Sequence, residues 1–511
     1  MNSIMQASNR IIVNTLTQYI RTIINMVLGL YSSRLVLDIL GIDDYGVYSL
    51  VAGVVSMLSF LTNSLVGSTQ RFLSVYQGRG DMDKLKEVFG NSLLLHVFLG
   101  LGITCVLAIL TPFLFDGFLN IPAGREHVAR SLYLLVITMV YISFITSPFR
   151  ALLISRENIV YTSVVDVIDG ILKVILVLFL PFIMIDKLMA YGWILFFIQL
   201  FNLMSFVIFC FYKYEECIFP KLQNFSVSYV KELSSFTGWV MYSSGIIAFR
   251  TQGFAIVLNK MLGTTINAAY GIGMQISGMI SFVSTSFNNA IAPQLMAAEG
   301  GGDRERMWKL AEIQSKYSFL LMAMLGIPTM FEIRTLLEIW LVEVPINTSL
   351  FACMFITMQI VDMLSSGLAL ANRAIGNIGK YTFVTYTPKL LIIPLGWVSL
   401  KMDASLIPIF YLMVVVEILC VFLRIYCIRK EIGFYITGFC KSVILHTIPP
   451  VMISVLSCYF ICTSIEHEYR FMLTYVLSLS IFLIVAYIFS FSNDERTKIN
   501  KVLFGLLKRN K

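Results

Sequence analysis

The sequence predicts an all-α integral membrane protein with about 14 transmembrane helices, arranged as two pseudo-symmetric six-helix lobes plus two extra C-terminal helices. Three observations predict this. Of 511 residues, 58% are apolar and only 13% are charged, with a mean hydropathy of +0.81. Soluble domains carry roughly 25% charged residues, so the soluble classes are excluded. Apolar runs of about 20 residues, long enough to cross a bilayer, recur along the whole chain. Finally, short motifs return at nearly one offset. Leu40-Gly41 and Gly80-Asp81 reappear, at an offset of 222, as Leu262-Gly263 and Gly302-Asp303. Tyr45-Gly46 reappears at 225 as Tyr270-Gly271, and Tyr161-Thr162 at 220 as Tyr381-Thr382. Such a duplication in a membrane protein is a transporter signature.

The expected spans lie near 11–37, 45–70, 88–115, 129–150, 160–185, 189–212, 232–258, 266–292, 315–338, 346–371, 381–400, 404–428, 438–463 and 469–491. Span 1 is polar on one face: Asn14, Gln18, Arg21, Asn25 and Ser32 follow at helical spacings of 4, 3, 4 and 7. Span 2 sets Ser49, Ser56, Asn63 and Gln70 at strict sevens, beside a stripe of Gly46, Gly53 and Gly67. Span 5 carries Asp166, Asp169 and Lys173 on one face, and span 7 has Arg250 at its middle. Span 8, the counterpart of span 2, has Asn267, Ser277, Ser281, Ser284 and Asn288 on one face. Asp362 falls in span 10 and Glu417 in span 12. Trp239 and Trp340 sit at span ends, where indoles favour the interface.

Basic residues orient the spans. With the N-terminus inside, the segments at 10, 71–86, 150–156, 213–231, 304–316, 373–380, 424–441 and 496–511 hold 26 of the 38 Lys and Arg residues. Both termini are therefore expected in the cytoplasm. The repeat offset, near 220, covers six spans, an even number, so both halves keep one orientation. The expected divisions are 1–220 (spans 1–6), 221–430 (spans 7–12) and 431–511 (spans 13 and 14 with a tail). The tail, KINKVLFGLLKRNK, is cationic and amphipathic and is expected to lie along the inner membrane surface. The first apolar run is too long for a signal peptide's apolar core and no A-x-A site follows, so no cleaved signal is expected.

Nine scattered cysteines without CxxC, and four histidines without ligand spacing, predict no metal site. The glycine-rich 300–303 lacks a following GK[ST], so a turn is expected there and not a nucleotide loop. No cofactor is expected. Coupling to an H+ or Na+ gradient is the expected energy source.

Polar stripes on matched spans admit two explanations. Unsatisfied polar groups are costly in hydrocarbon, so the stripes either line a wet cavity between spans 1, 2, 7 and 8 or join helices. On the first, Arg21 and Arg250 with Asn14, Gln18, Asn25, Asn63, Gln70 and Asn288 form a substrate site. Arginine holds phosphate oxygens with a planar fork, which suits a phosphate- or pyrophosphate-bearing substrate. On the second, each arginine pairs with a buried carboxylate and staples helices. Asp169 and Lys173, one turn apart, are expected to neutralise each other, leaving Asp166 as an ion-coupling candidate beside Asp362 and Glu417. Each of these carboxylates equally admits a structural role.

The connectors LGIDDYGVYSL (40–50) and QRFLSVYQGRGDMDKLKEVF (70–89) resemble those of the polysaccharide-exporter branch of the MOP (MATE-like) superfamily. That group includes flippases for O-antigen and capsule repeat units, the lipid II flippase, and multidrug and toxin extrusion transporters. The resemblance covers spans 1–12. It implies two six-helix bundles about a central cavity, alternating access, and export of undecaprenyl-pyrophosphate-linked oligosaccharide to the periplasmic leaflet of the bacterial inner membrane. It also implies cavity arginines for the pyrophosphate, for which Arg21 and Arg250 are the matching candidates. Fourteen spans match the lipid II flippase, in which the extra pair forms a lipid-tail groove. Expected partners are the lipid-linked substrate, membrane lipids and polysaccharide assembly proteins, with no nucleic acid, and the chain is expected to act as a monomer. A drug or cation antiporter of the same superfamily is the first alternative; it favours an acidic, aromatic cavity. A membrane polymerase or ligase is the second, but it needs a large outer loop with catalytic residues, and none is evident.

Overall fold

The structure is a computed structural model, and it describes residues 2–56, 59–115, 124–218, 227–262, 264–341, 344–402, 405–432, 436–465, 469–492 and 495–497. Among these residues the chain is helical throughout, without a strand. In order the helices are α1 (Asn2–Ser56), α2 (Ser59–Arg79), α3 (Met82–Phe113), α4 (Glu126–Ser155), α5 (Ile159–Phe179), α6 (Lys187–Lys213), α7 (Val227–Leu262), α8 (Thr264–Gly300) and α9 (Arg304–Phe331). There follow α10 (Ile333–Trp340), α11 (Thr348–Met363), α12 (Ser366–Ile375), α13 (Gly379–Tyr386), α14 (Ile392–Lys401), α15 (Leu406–Ile432), α16 (Ile436–Phe439), α17 (His446–Ser464) and α18 (Arg470–Val485). The expected amphipathic tail lies outside the described residues.

The described residues of each expected span fall mainly on helix, with local breaks. Gly41, at φ 77°, interrupts α1 between the first two expected spans. Glu332 separates α9 from α10, bent by 77°, shortly after Pro328. Leu364 and Ser365 separate α11 from α12, bent by 49°. Among the described residues, seven continuous helices are long and apolar enough to cross a membrane, or nine with each bent pair taken as one span. The helix α5 spans 21 residues but carries three charges, Asp166, Asp169 and Lys173. A charged residue within a span is expensive, so its surroundings carry information.

The sequence repeat is visible in the backbone. After α2, Gly80 (φ 71°) donates to Gln77 O at 3.1 Å and Asp81 N to Tyr76 O at 3.3 Å. After α8, Gly302 (φ 78°) donates to Glu299 O at 3.0 Å and Asp303 N to Ala298 O at 3.0 Å. Both are Schellman caps, which place a left-handed residue just beyond the helix and favour glycine there. The glycine-rich 300–303 is thus a helix-ending turn. Asp81 then caps α3 by accepting from Lys84 N at 3.0 Å.

The chain forms two compact units, Met1–Ser244 with Asn289–Arg304, and Gly245–Asn288 with Glu305–Lys511. The helices α7 and α8 contribute to both units, and the segment after 430 belongs to the second. In the first unit α4 packs on α2, α3 and α6, and α1 packs along α5. Ala129, Leu132, Tyr133 and Val136 of α4 are buried with Val47, Val51 and Leu107. Gly192 of α6 admits the Leu132 side chain, which would lie 2.6 Å from an added Cβ. In the second unit α15 packs on α11, α13 and α14, and α17 packs on α18. Leu320, Ala323 and Ile327 of α9 form a core with Cys458 of α17 and Phe482 of α18. An ion pair brackets this core at each end, Glu332–Arg470 at 3.0 Å and Lys316–Glu495 at 2.8 Å.

Candidate functional site

Each unit holds a cluster of charged side chains on helices expected to lie in the membrane. In the first unit, Arg21 of α1, Arg150 of α4 and Asp166 of α5 converge. Asp166 Oδ2 accepts from Arg21 Nη1 at 2.9 Å and from Arg150 Nη2 at 2.7 Å. The 27-residue helix α6 brings Asn202 to the same region, and its Nδ2 donates to Asp169 Oδ2 at 2.5 Å. The expected Asp169–Lys173 pair is not formed: Asn202 holds Asp169, and Lys173 has no hydrogen-bond or ion-pair partner among the described residues. Spacing of one turn permits such a contact without enforcing it, and a neighbouring helix supplied a better-placed donor.

In the second unit the arrangement is a chain of alternating sign. Arg250 Nη1 of α7 meets Glu417 Oε2 of α15 at 3.2 Å. Glu417 Oε1 takes Lys389 Nζ at 2.5 Å, and Lys389 also reaches Asp362 Oδ1 of α11 at 3.2 Å. Asp362 Oδ1 accepts from Arg424 Nη2 of α15 at 2.8 Å, and Arg424 Nη1 donates to Ser365 Oγ at 3.0 Å. The Tyr386 ring lies 5.6 Å from the Lys389 ammonium and 5.5 Å from the Arg424 guanidinium. Glu417, Lys389 and Arg424 are buried, whereas the Asp362 side chain is 26% and that of Arg250 14% exposed. Three cations face two carboxylates, so the network carries one surplus positive charge.

The two clusters occupy corresponding helices. Positions 169 and 389 are related by 220, the offset that also relates Tyr161-Thr162 to Tyr381-Thr382. The first repeat thus places a carboxylate where the second places an ammonium.

The remaining sequence candidates divide. Asn14 is buried, and its Nδ2 donates to Glu157 O at 3.1 Å. Gln18 and Gln70 are buried, and Asn63 is exposed. Asn25 turns a buried Oδ1 toward α5, without a hydrogen-bond partner. Asn288 Oδ1 accepts from Ser318 Oγ at 2.5 Å, and Ser284 Oγ donates to Ser318 O at 2.9 Å, so these two residues join α8 to α9. The side chains of Ser49, Ser56 and Asn267 lie outside the described residues.

Four members of these clusters were missed in the sequence: Arg150, Asn202, Lys389 and Arg424. Arg150 and Arg424 sit near helix ends, where they read as topology signals. Lys389 lies inside an expected span, and a charge at that position was the signal that would have found it.

Solved structures show the same fold. An outward-facing multidrug-resistance MATE-family transporter of the MOP superfamily matches 85% of this chain and 97% of its own, with TM-score 0.71 and 14% identity. A MOP superfamily transporter from Pyrococcus furiosus Vc1, for which a reversed polarity of the binding pocket suggests a different function, matches 84% of this chain and 96% of its own, with TM-score 0.69 and 13% identity. Residues 8–298 match the family model of the polysaccharide biosynthesis proteins, and the chain belongs to that family. The uncharacterized membrane protein EpsK of Bacillus subtilis (strain 168) is 23% identical over 310 residues, 59% of this chain. The chain spans 59% of that curated relative's length.

Proposed function

We propose that this protein moves lipid-linked oligosaccharide units, carried on undecaprenyl pyrophosphate, from the cytoplasmic to the periplasmic leaflet of a bacterial inner membrane, for surface polysaccharides such as O-antigen or capsule. It works by alternating access, with both termini cytoplasmic, as a monomer and without catalytic chemistry or a cofactor. The observation that carries this reading is the surplus of cations over carboxylates along Arg250–Glu417–Lys389–Asp362–Arg424. A buried network with net positive charge favours an anionic cargo and disfavours a cationic drug. The carboxylates Asp166, Asp169, Asp362 and Glu417 are the places where an H+ or Na+ gradient is coupled.

The test is complementation of a strain lacking this protein with Arg21→Ala and Arg250→Ala. The remaining contacts make these variants clean. Asp166 keeps Arg150, and Glu417 keeps Lys389, so neither stranded carboxylate loses all its counter-charge. Loss of surface polymer with build-up of lipid-linked units, at normal expression, supports the reading. Wild-type behaviour of both variants refutes it and brings the antiporter forward.

A further inference from the structure

Lys173 is a cation without a counter-charge among the described residues, inside a helix expected to cross the membrane. Nothing among the described residues pairs with it. The nearest carboxylate in sequence, Asp169, is held by Asn202, and its second oxygen is buried without a partner. Its orientation follows from the helix. Val164, Ile168, Ile171 and Ile175 form the exposed apolar stripe of α5. At 100° per residue Lys173 points to the opposite side, as Asp166 does, so it is turned away from the lipid-facing stripe. On that side α1 presses against α5 at Gly170, where an added Cβ would meet Leu28 Cδ1 at 3.0 Å and Asn25 Oδ1 at 3.1 Å. Lys173 lies two turns beyond Asp166, roughly 10 Å along the helix.

An ionised side chain in a span normally finds a partner in the protein, water or a ligand. Of the other charged members of this seam, Arg21 and Arg150 both bond Asp166, and Asp169 is held by Asn202. We propose that Lys173 is an anion contact of the transport path, whose ammonium meets a phosphate of the cargo after that phosphate has passed the Arg21–Asp166–Arg150 cluster. The proposal rests on the reading of the protein as a carrier of lipid-linked pyrophosphate. It adds the step that Arg21 and Arg150 are held by Asp166, while Lys173 has no counter-charge among the described residues.

The experiment measures binding of farnesyl pyrophosphate, farnesol and dioleoylphosphatidylglycerol to purified full-length protein in detergent. Wild type is compared with Lys173→Met and Lys173→Arg. The expected result is about a tenfold loss of farnesyl pyrophosphate affinity in Lys173→Met, the size of one lost charge-assisted contact. Lys173→Arg retains most of the affinity, and farnesol binds all three alike. If folded Lys173→Met binds farnesyl pyrophosphate as wild type does, the Lys173 assignment is overturned. An equal loss for phosphatidylglycerol makes bulk lipid the ligand and overturns the cargo contact. If wild type itself prefers farnesyl pyrophosphate no more than farnesol, the carrier reading fails instead. Should Lys173→Met not fold, Lys173→Gln, which keeps a polar tip, is measured in its place against the same criteria.

Discussion

Gly78 and Gly300, which share the repeat offset of 222, make the same contact in reverse. A Cβ on Gly78 would lie 1.9 Å from the Ala297 carbonyl oxygen, and one on Gly300 1.9 Å from the Val75 carbonyl oxygen. Val75 and Ala297 are related by the same offset. The ends of α2 and α8 therefore cross backbone to backbone about a local two-fold relation, both within the first unit. Small residues are what allow such an approach.

Alanine at either glycine must push the two helix ends apart. Overpacking of a tight contact typically costs about 1–3 kcal/mol. Gly78→Ala and Gly300→Ala are expected to lower the unfolding temperature of the purified protein and to reduce complementation. Gly67→Ala, with nothing within 4 Å of the added methyl, is expected to leave both near wild type. Equal behaviour of all three would show that the crossing has no consequence.

The buried network of the second unit predicts strong coupling between Lys389 and Glu417, which meet at 2.5 Å. Lys389→Met leaves Glu417 with Arg250 and Asp362 with Arg424, and breaking a buried pair on one side costs about 3–5 kcal/mol. Lys389→Met combined with Glu417→Gln is expected to be less destabilised than the sum of the singles, by about 0.5–3 kcal/mol. A double-mutant cycle of thermal unfolding in one detergent measures this. Strict additivity would contradict the network.

Glu332 and Arg470 predict an asymmetry. Glu332 is buried and accepts from Arg470 Nε at 3.0 Å, Thr474 Oγ1 at 2.8 Å and Thr335 Oγ1 at 3.1 Å. Arg470 is one-third exposed. Arg470→Ala strands a buried carboxylate, whereas Glu332→Gln leaves an arginine that can turn to water. Arg470→Ala is therefore expected to destabilise more than Glu332→Gln. The reverse order of unfolding temperatures would refute the argument.

Acid is expected to weaken a clasp in the first unit, where Arg125 pairs with both Asp44 and Asp186. Burial pushes the Asp186 carboxyl up, but the Met189 N–H and the Arg125 guanidinium outweigh it and hold it below the usual value. A depressed folded pKa contributes stability above the unfolded value, near about 3.9, and that stability is lost as pH falls through the folded one. Both side chains are partly exposed, so the effect is small, up to about 1 kcal/mol. The unfolding temperature of wild type is expected to fall below about pH 4, and that of Asp186→Asn to fall less. Parallel curves would remove Asp186 from the account.

Much of the molecule was legible in the chain. The helices α3, α4, α6 and α15 follow from apolar runs, and the caps at Gly80 and Gly302 follow from a motif repeated at 222. The charged candidates Arg21, Asp166, Arg250, Asp362 and Glu417 were legible too, because charge in hydrocarbon is rare and expensive. Their partners were not. Arg150 and Arg424 looked like loop residues marking topology, and Asn202 was one polar residue in an apolar helix. The expected pairing of Asp169 with Lys173 failed for the same reason: helical spacing defines a face, while the choice of partner across helices depends on which neighbouring side chain arrives closest.

By itself the sequence determined the class of protein, the helices and the duplication. These depend on hydropathy, length and local turn chemistry, which are properties of neighbouring residues. Only the tertiary structure decided that Arg21 and Arg250 are each bonded to a carboxylate, that Lys389 bridges Asp362 and Glu417, and that Lys173 stands apart from them. Those contacts join residues 145, 167, 27 and 28 positions apart, or in the case of Lys173 leave one residue out. Pairing at such separations is set by how helices pack, because a hydrogen-bonded ion pair needs its atoms within about 3 Å and no local pattern encodes which helices will become neighbours.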